Sequence, residues 1–257
     1  MKKLIDFSKL SSIKIGPKIE VKIVNEDNYN NEFLIGNATN TLISYNATNL
    51  GILDDKYKFI KIEKGYLKVG AKVKNITLYN FCKKNNIKGF EFLSKLPGTI
   101  GGSIKMNAGV KEYEISNNLL AIKTINGFKE KKEFNFGYRY SNINSPIFEV
   151  VFDIKKGFDY ILDKKIKNLR KNQPLDPSLG SVFKNPKNDF AGRLIEKVGM
   201  KGEKKGNIQI SNIHANFFIN TGKGKFEDMI YLINKTKKRV LEEFNINLEL
   251  EIKIVLN

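Results

Sequence analysis

Leu96-Pro97-Gly98-Thr99-Ile100-Gly101-Gly102-Ser103-Ile104-Lys105-Met106-Asn107-Ala108-Gly109 is the least ordinary stretch of the chain. Four glycines and a proline stand among small residues with a single charge, in a protein otherwise rich in lysine. Glycine lets a backbone pass close to a ligand and adopt positive φ. Backbone N–H groups exposed in such a loop form a concave site for an anion or a ring edge. A glycine-rich surface turn reads the same way in isolation, so the remaining motifs must decide.

The size of the chain, 257 residues, allows two or three small domains and a sizeable core. No run of about 18 apolar residues occurs, so no membrane insertion is expected. Asp6, Lys9 and Lys14 interrupt the N-terminus, so no signal peptide is expected and a cytoplasmic location follows. One cysteine, Cys82, and one histidine, His214, exclude an intramolecular disulfide and a clustered metal centre, so no metal is expected. The formal charge of +18 raises nucleic-acid binding. The lysines, however, are spread along the whole chain with much Asn and Ile, without an Arg-rich or aromatic-interleaved block. A compositional bias explains them, and no nucleic-acid partner is expected.

Periodicity gives the element order. Val21–Val24 and Phe33-Leu34-Ile35 read as strands, the second running through Gly36-Asn37-Ala38-Thr39-Asn40 into a third, Thr41-Leu42-Ile43. Strand, small polar loop, strand is a phosphate-cradling layout without a G-x-G-x-x-G fingerprint. Hairpins are expected around Lys64-Gly65 and Asn126-Gly127. Asn75 is placed as the cap of a helix reaching about Asn85. Ile161, Leu162, Ile166 and Leu169 keep helical spacing up to the Pro174–Pro177 break. Ala191–Val198 reads as a short helix, Ile208–Asn220 as extended chain, and Phe226, Met229, Ile230, Ile233, Val240, Leu241 and Phe244 as a helical core stripe. Leu248, Leu250, Ile252, Ile254 and Leu256 alternate with Glu249, Glu251, Lys253 and Val255, as in a strand with one core face.

Further motifs agree with the opening stretch: Tyr138-Arg139-Tyr140-Ser141, Gly180-Ser181-Val182-Phe183-Lys184-Asn185-Pro186, Ser211 to Phe217 with His214-Ala215-Asn216, and Glu251-Ile252-Lys253. In order and spacing they resemble the MurB family, the UDP-N-acetylenolpyruvoylglucosamine reductases, over essentially the whole chain. The chain departs from the family pattern at Asn37 and Ala38, where glycines are usual, and at Lys253, often Arg. It is short enough to resemble the compact subtype without the long tyrosine-bearing substrate loop.

The resemblance implies an α+β fold of the vanillyl-alcohol-oxidase-like (PCMH-type) kind, with a two-lobed FAD-binding region and a C-terminal α/β substrate-binding domain. Residues 1–70 would form the first lobe, joined by a final strand at 249–257, residues 71–168 the second, and residues 169–248 the substrate domain. FAD would be held by Gly36, Asn37, Ala38, Thr39, Asn40, Gly98, Thr99, Gly101, Gly102, Ser103, Asn107, Ala108 and Gly109. NADPH would reduce it, and UDP-N-acetylglucosamine enolpyruvate would be converted to UDP-N-acetylmuramate for peptidoglycan. Tyr138, Arg170, Lys184, Asn185, His214 and Asn216 would contact the sugar nucleotide, and a monomer is expected.

Three residues would carry the chemistry. Hydride addition to an enol ether needs a fixed cation beside the substrate carboxylate, and the planar, always charged fork of Arg139 suits it. Protonation of carbon needs a positioned donor, Ser181 by family match. Glu251 would hydrogen-bond the carboxyl group or assist proton delivery, its pKa raised by burial beside the flavin. A different FAD oxidoreductase of the same fold, which need not keep the Gly180–Pro186 motif, is the alternative.

Overall fold

In the computed structural model, which describes residues 1–169 and 172–256, the chain divides into two compact units. The first comprises Met1–Lys2, Val21–Gly36 and Leu50–Lys171, the second Lys3–Glu20, Asn37–Asn49 and Asn172–Asn257. The boundary cuts through residues 1–70, because the loop after Gly36 packs with the C-terminal chain.

The first unit is built on a five-stranded antiparallel sheet. Its order is Gly127–Glu130, Leu119–Thr124, Glu149–Phe152, Tyr66–Gly70, Ile60–Glu63. Both expected hairpins are present. Lys64 and Gly65 take φ of +50° and +82°, the paired positive values of a tight twisted turn. In the other hairpin Ile125 and Asn126 form the turn and Gly127, at φ +85°, opens the returning strand opposite Thr124. That strand stops at Glu130, because Glu130 and Glu133 make a reciprocal capping box around a short 3-10 turn. Leu67, Val69, Ile122, Val150 and Phe152 face one core together with Leu78 and Cys82 from the helix Asn75–Lys84 and Ile166 from the helix Tyr160–Leu169. A smaller parallel sheet joins Leu50–Leu53 to Phe33–Leu34 and to the end of Lys18–Val24.

The second unit carries an antiparallel sheet of order Ser178–Ser181, Phe217–Asn220, Ile208–Ile210, Lys204–Lys205. The helices Ala191–Lys197 and Phe226–Phe244 share its core. The long helix carries Glu227 and Asp228 in its first turn and ends at Asn245, whose φ of +54° lets its N–H reach back to Leu241 O at 2.9 Å. Met229, Leu232, Ile233 and Val240 are buried, whereas Leu241, expected in the stripe, is exposed.

Three expected elements differ. Ile208–Asn220 is two strands, because a turn at 211–216 brings Ser211 Oγ to the N–H groups of Ile213 and His214. The terminal alternation gives a strand only over Lys253–Val255, paired in parallel with Thr41–Ile43. Leu250 instead bridges Phe183, the chain bends at Glu251-Ile252, and Val255 is buried rather than on a polar face. Lys74, not Asn75, stands at the helix N-cap position. Asn75 is buried and its side chain is engaged elsewhere.

Candidate active site

In the first unit the glycine-rich stretch is anchored from behind. Asn75 donates its backbone N–H to Gly98 O at 3.1 Å and its side-chain amide to Pro97 O at 3.3 Å. The same amide and the Ser103 hydroxyl exchange hydrogen bonds at 2.8 and 3.0 Å. Thr99 caps the short helix Ile100–Lys105, its Oγ1 accepting from Gly102 N at 3.4 Å. Ile100 N and Gly101 N donate to Val73 O and Ala71 O, both at 2.9 Å.

The neighbouring glycines serve different ends. A Cβ at Gly101 would lie 3.0 Å from Ala71 Cβ and 3.2 Å from Ala71 O, so its bareness lets two backbones pack. A Cβ at Gly102 would meet only Thr99 Oγ1, at 3.5 Å, and this glycine is exposed. The helix therefore shows solvent a strip of bare backbone that internal packing does not demand. Gly36 packs against the same segment, a Cβ there lying 2.6 Å from Thr99 Oγ1. Two of the segments expected to hold a cofactor thus adjoin within one unit.

The Tyr138–Ser141 motif is stapled to the end of this stretch. Asn107, fully buried at φ +47°, donates to Gly137 O at 3.0 Å and Glu114 Oε2 at 2.7 Å. Its Oδ1 accepts from Ser116 N at 3.4 Å. Ser141 Oγ donates to Lys105 O at 2.8 Å, and Arg139 Nη2 to Gly109 O at 3.0 Å. Arg139 has φ +53°, with its guanidinium 5.2 Å from the centre of the Tyr138 ring. Ala108 N donates to Ser103 O at 2.8 Å. At Gly109 a Cβ would strike Tyr113 O at 2.3 Å, which makes this glycine a packing requirement.

In the second unit the loop 37–40 is braced on both sides. Ser12 donates its N–H to Ala38 O at 3.2 Å and its hydroxyl to Thr39 O at 3.4 Å. Lys253 N donates to Asn40 O at 2.9 Å, and Asn40 Nδ2 to Glu251 O at 3.0 Å. Ala38 is buried at φ +48°, a conformation that suits glycine better. Glu251 sits on the bend between this loop and the Gly180–Pro186 motif, donating its backbone N–H to Val182 O at 2.8 Å.

Ser181 ends its strand opposite Phe217 and is partly buried. Lys184 N donates to Glu249 O at 2.9 Å, and its ammonium lies 3.4 Å from the Glu249 carboxylate. Asn185 Oδ1 accepts from Ala191 N at 3.1 Å, tying the motif to the start of the next helix. His214 Nδ1 accepts from Asn216 N at 3.2 Å, which puts the neutral ring's proton on Nε2. Burial holds this imidazole below its ordinary pKa. Asn216 is 2% exposed, with both ends of its amide on the Phe183 backbone. Arg170 lies outside the described residues. Among the described residues no group of three His, Cys, Asp or Glu could hold a metal ion, and no helix is long and apolar enough to cross a membrane.

Sequence reasoning missed Asn75 and Ser12, the braces behind the two loops. Asn75 carries the signal of a helix cap, and Ser12 carries none.

Comparison with known proteins bears on this geometry. Residues 172–255 match the family model described as UDP-N-acetylenolpyruvoylglucosamine reductase, C-terminal domain. The chain is 48% identical over 257 residues to the UDP-N-acetylenolpyruvoylglucosamine reductase of Campylobacter jejuni (strain RM1221), covering 98% of this chain and 100% of that one. It is 42% identical over 258 residues to the enzyme of that name from Helicobacter hepaticus, with 98% of each chain covered. The crystal structure of UDP-N-acetylenolpyruvylglucosamine reductase (MurB) from Thermus caldophilus superposes with a TM-score of 0.87 at 27% identity, covering 100% of this chain and 99% of that one.

Proposed function

Because the chain belongs to the UDP-N-acetylenolpyruvoylglucosamine reductase family, we infer that it converts UDP-N-acetylglucosamine enolpyruvate to UDP-N-acetylmuramate, with NADPH as reductant and FAD as cofactor. The observation that carries this reading is the 48% identity with the Campylobacter reductase over 98% of this chain and 100% of that one.

The residues present fit a flavin. The exposed backbone strip at Gly102 leaves open the space a side chain would fill, which suits a flat ring laid against it. The stretch holds neither His nor Cys to form a covalent link. Gly36, Gly98, Thr99, Gly102 and Ala108 would line this face, with Gly101, Ser103, Asn107 and Gly109 packing it from behind, and Asn37, Ala38, Thr39 and Asn40 would hold the cofactor's phosphates. Bound FAD supplies the hydride chemistry.

The chain's own residues supply charge and a proton. Hydride addition to the methylene carbon of the enol ether moves negative charge onto the substrate carboxylate. The Arg139 guanidinium neutralises it there in bidentate fashion. Ser181 Oγ donates a proton to the neighbouring carbon, giving the lactyl ether. Glu251 helps hold the carboxyl group and resupply the proton. Lys184, Asn185, His214 and Tyr138 hold the sugar nucleotide, Lys184 through charge and His214 through its Nε2–H, and Arg170 is assigned to a phosphate.

The division proposed from the family resemblance is two flavin lobes, 1–70 with 249–257 and 71–168, and a substrate domain, 169–248, whereas the compact units divide residues 1–70 between them. The protein acts as a cytoplasmic monomer, with no nucleic acid or membrane partner. Anaerobic mixing of the reduced enzyme with UDP-N-acetylglucosamine enolpyruvate tests the reading. Stoichiometric flavin reoxidation is expected. Flavin that stays reduced with this substrate, yet reoxidises with another acceptor, points to the alternative oxidoreductase.

A further inference from the structure

We propose that Asn216 is a positioning residue that sets the Ser181 and Glu251 backbones in register, and not the sugar-nucleotide contact implied by the family resemblance. The proposal rests on the reading of Ser181 as the proton donor.

The geometry is a clamp on two successive peptide groups. Val182 N donates to Asn216 O at 2.8 Å, which fixes the peptide that begins at the Ser181 carbonyl. Phe183 N donates to Asn216 Oδ1 at 2.9 Å, which fixes the next one. Asn216 Nδ2 donates to Phe183 O at 2.8 Å and closes the clamp. The peptide between Val182 and Phe183 is engaged at both ends. Its N–H faces Asn216, and its carbonyl accepts from Glu251 N at 2.8 Å. A single chain of dipoles therefore runs from the Glu251 N–H through one peptide to the Asn216 amide, and bonds in such a chain polarise one another.

Asn216 is itself held. Its N–H reaches His214 Nδ1 at 3.2 Å, and the His214 ring packs against Phe217 with centroids 5.0 Å apart. The next residue, Phe217, pairs with Ser181 across the sheet. At 2% exposure the Asn216 side chain has no surface to offer a sugar nucleotide. The main-chain bonds Val182 N to Asn216 O and Glu251 N to Val182 O outlast a substitution at 216, but loss of the side chain frees the Phe183 peptide and so loosens the segment that spaces Ser181 and Glu251. A displacement of the order of 1 Å in a group that must meet a reacting carbon costs about 10²-fold in rate.

Asn216→Ala and the isosteric Asn216→Asp, which keeps the Oδ1 acceptor and loses the donor to Phe183 O, test this in the FAD-loaded enzyme. Stopped-flow spectroscopy reads flavin reduction by NADPH and reoxidation by UDP-N-acetylglucosamine enolpyruvate separately. Expected are reduction within about twofold of wild type, substrate Kd within about threefold, and reoxidation slowed about 10²-fold in Asn216→Ala. Asn216→Asp sets a buried carboxylate oxygen against Phe183 O and should lose at least as much, and in both variants the solvent deuterium isotope effect on reoxidation should rise as proton transfer becomes limiting. A raised Kd with an unchanged saturating rate overturns the proposal in favour of a ligand contact. An equal loss in both half-reactions, or slowed reoxidation without a changed isotope effect, overturns it in favour of a purely structural role. If Asn216→Ala does not fold, Asn216→Asp carries the same outcomes. Ser181→Ala run in parallel separates the two claims. Wild-type reoxidation in Ser181→Ala defeats the assignment of the donor, whereas slow reoxidation there with wild-type rates in both Asn216 variants defeats this proposal alone.

Discussion

Gly102→Ala should stabilise the flavin-free protein and weaken its hold on FAD. Gly102 lies on the exposed face of the helix Ile100–Lys105, and an added Cβ meets nothing nearer than Thr99 Oγ1 at 3.5 Å. An alanine replacing an exposed helical glycine gains about 0.5–1 kcal/mol. In a domain of this size that corresponds to a rise in Tm of about 2 °C. The same methyl would enter the space proposed for the flavin, where overpacking costs about 1–3 kcal/mol, which weakens FAD about tenfold to 10²-fold. Gly102→Val should lose the helix gain, because its β-branched side chain is a poor helix former, and should abolish flavin retention. Gly101→Ala is the control. Its Cβ would press on Ala71 at 3.0 and 3.2 Å, so it should lower Tm with or without flavin. Scanning calorimetry of flavin-stripped protein and FAD titration by fluorescence quenching measure both quantities. Unchanged FAD affinity in Gly102→Ala, with the expected rise in Tm, would show that the ring does not lie on this strip. A fall in Tm comparable to that of Gly101→Ala would refute the packing argument itself.

Acid precipitation should release all flavin to the supernatant, because Cys82 is fully buried with its thiol pKa pushed up by burial, and the glycine-rich loops hold no His or Cys; colour retained on the pellet would contradict this. Ser181→Ala should leave flavin reduction by NADPH nearly intact and slow reoxidation by about 10²–10⁴-fold, with Ser181→Cys retaining more, as single-turnover kinetics will read. Glu26 should contribute to acid unfolding: burial, its largest single influence, raises its pKa, but hydrogen bonds from Lys123 and Lys56 prevail and hold it at about 2, against 4.5 unperturbed. Its stabilisation is complete above pH 4.5 and is lost as pH falls towards 2, so Lys123→Met should flatten the pH dependence of Tm in that window.

Where the fold was legible in sequence, one local rule acted without competition. The tight turn at Lys64-Gly65 and the long helix Phe226–Phe244 follow from turn chemistry and 3.6-residue spacing alone. The helix Ile100–Lys105 with its Thr99 cap was not legible, because its two glycines make the stretch read as a loop. Where the reading failed, a tertiary partner outbid the local rule. Asn75 has the chemistry of a helix cap, but Ser103, 28 residues later, and Pro97 take its amide. The terminal alternation predicts one long strand, yet two partners share it: Phe183 bridges Leu250 and Thr41–Ile43 pairs Lys253–Val255, so the chain bends between them at Glu251. A period-2 pattern records which side chains face apolar surroundings and not whether one neighbour or two supply them. The site divides in the same manner. Residue types and order mark where chemistry is proposed. They do not distinguish an asparagine that touches a ligand from one that holds the residue that does. Asn185 lies within the Gly180–Pro186 motif and Asn216 in the turn bonded to it, and burial separates them: the first is exposed, and the second is enclosed with its amide closed on Phe183.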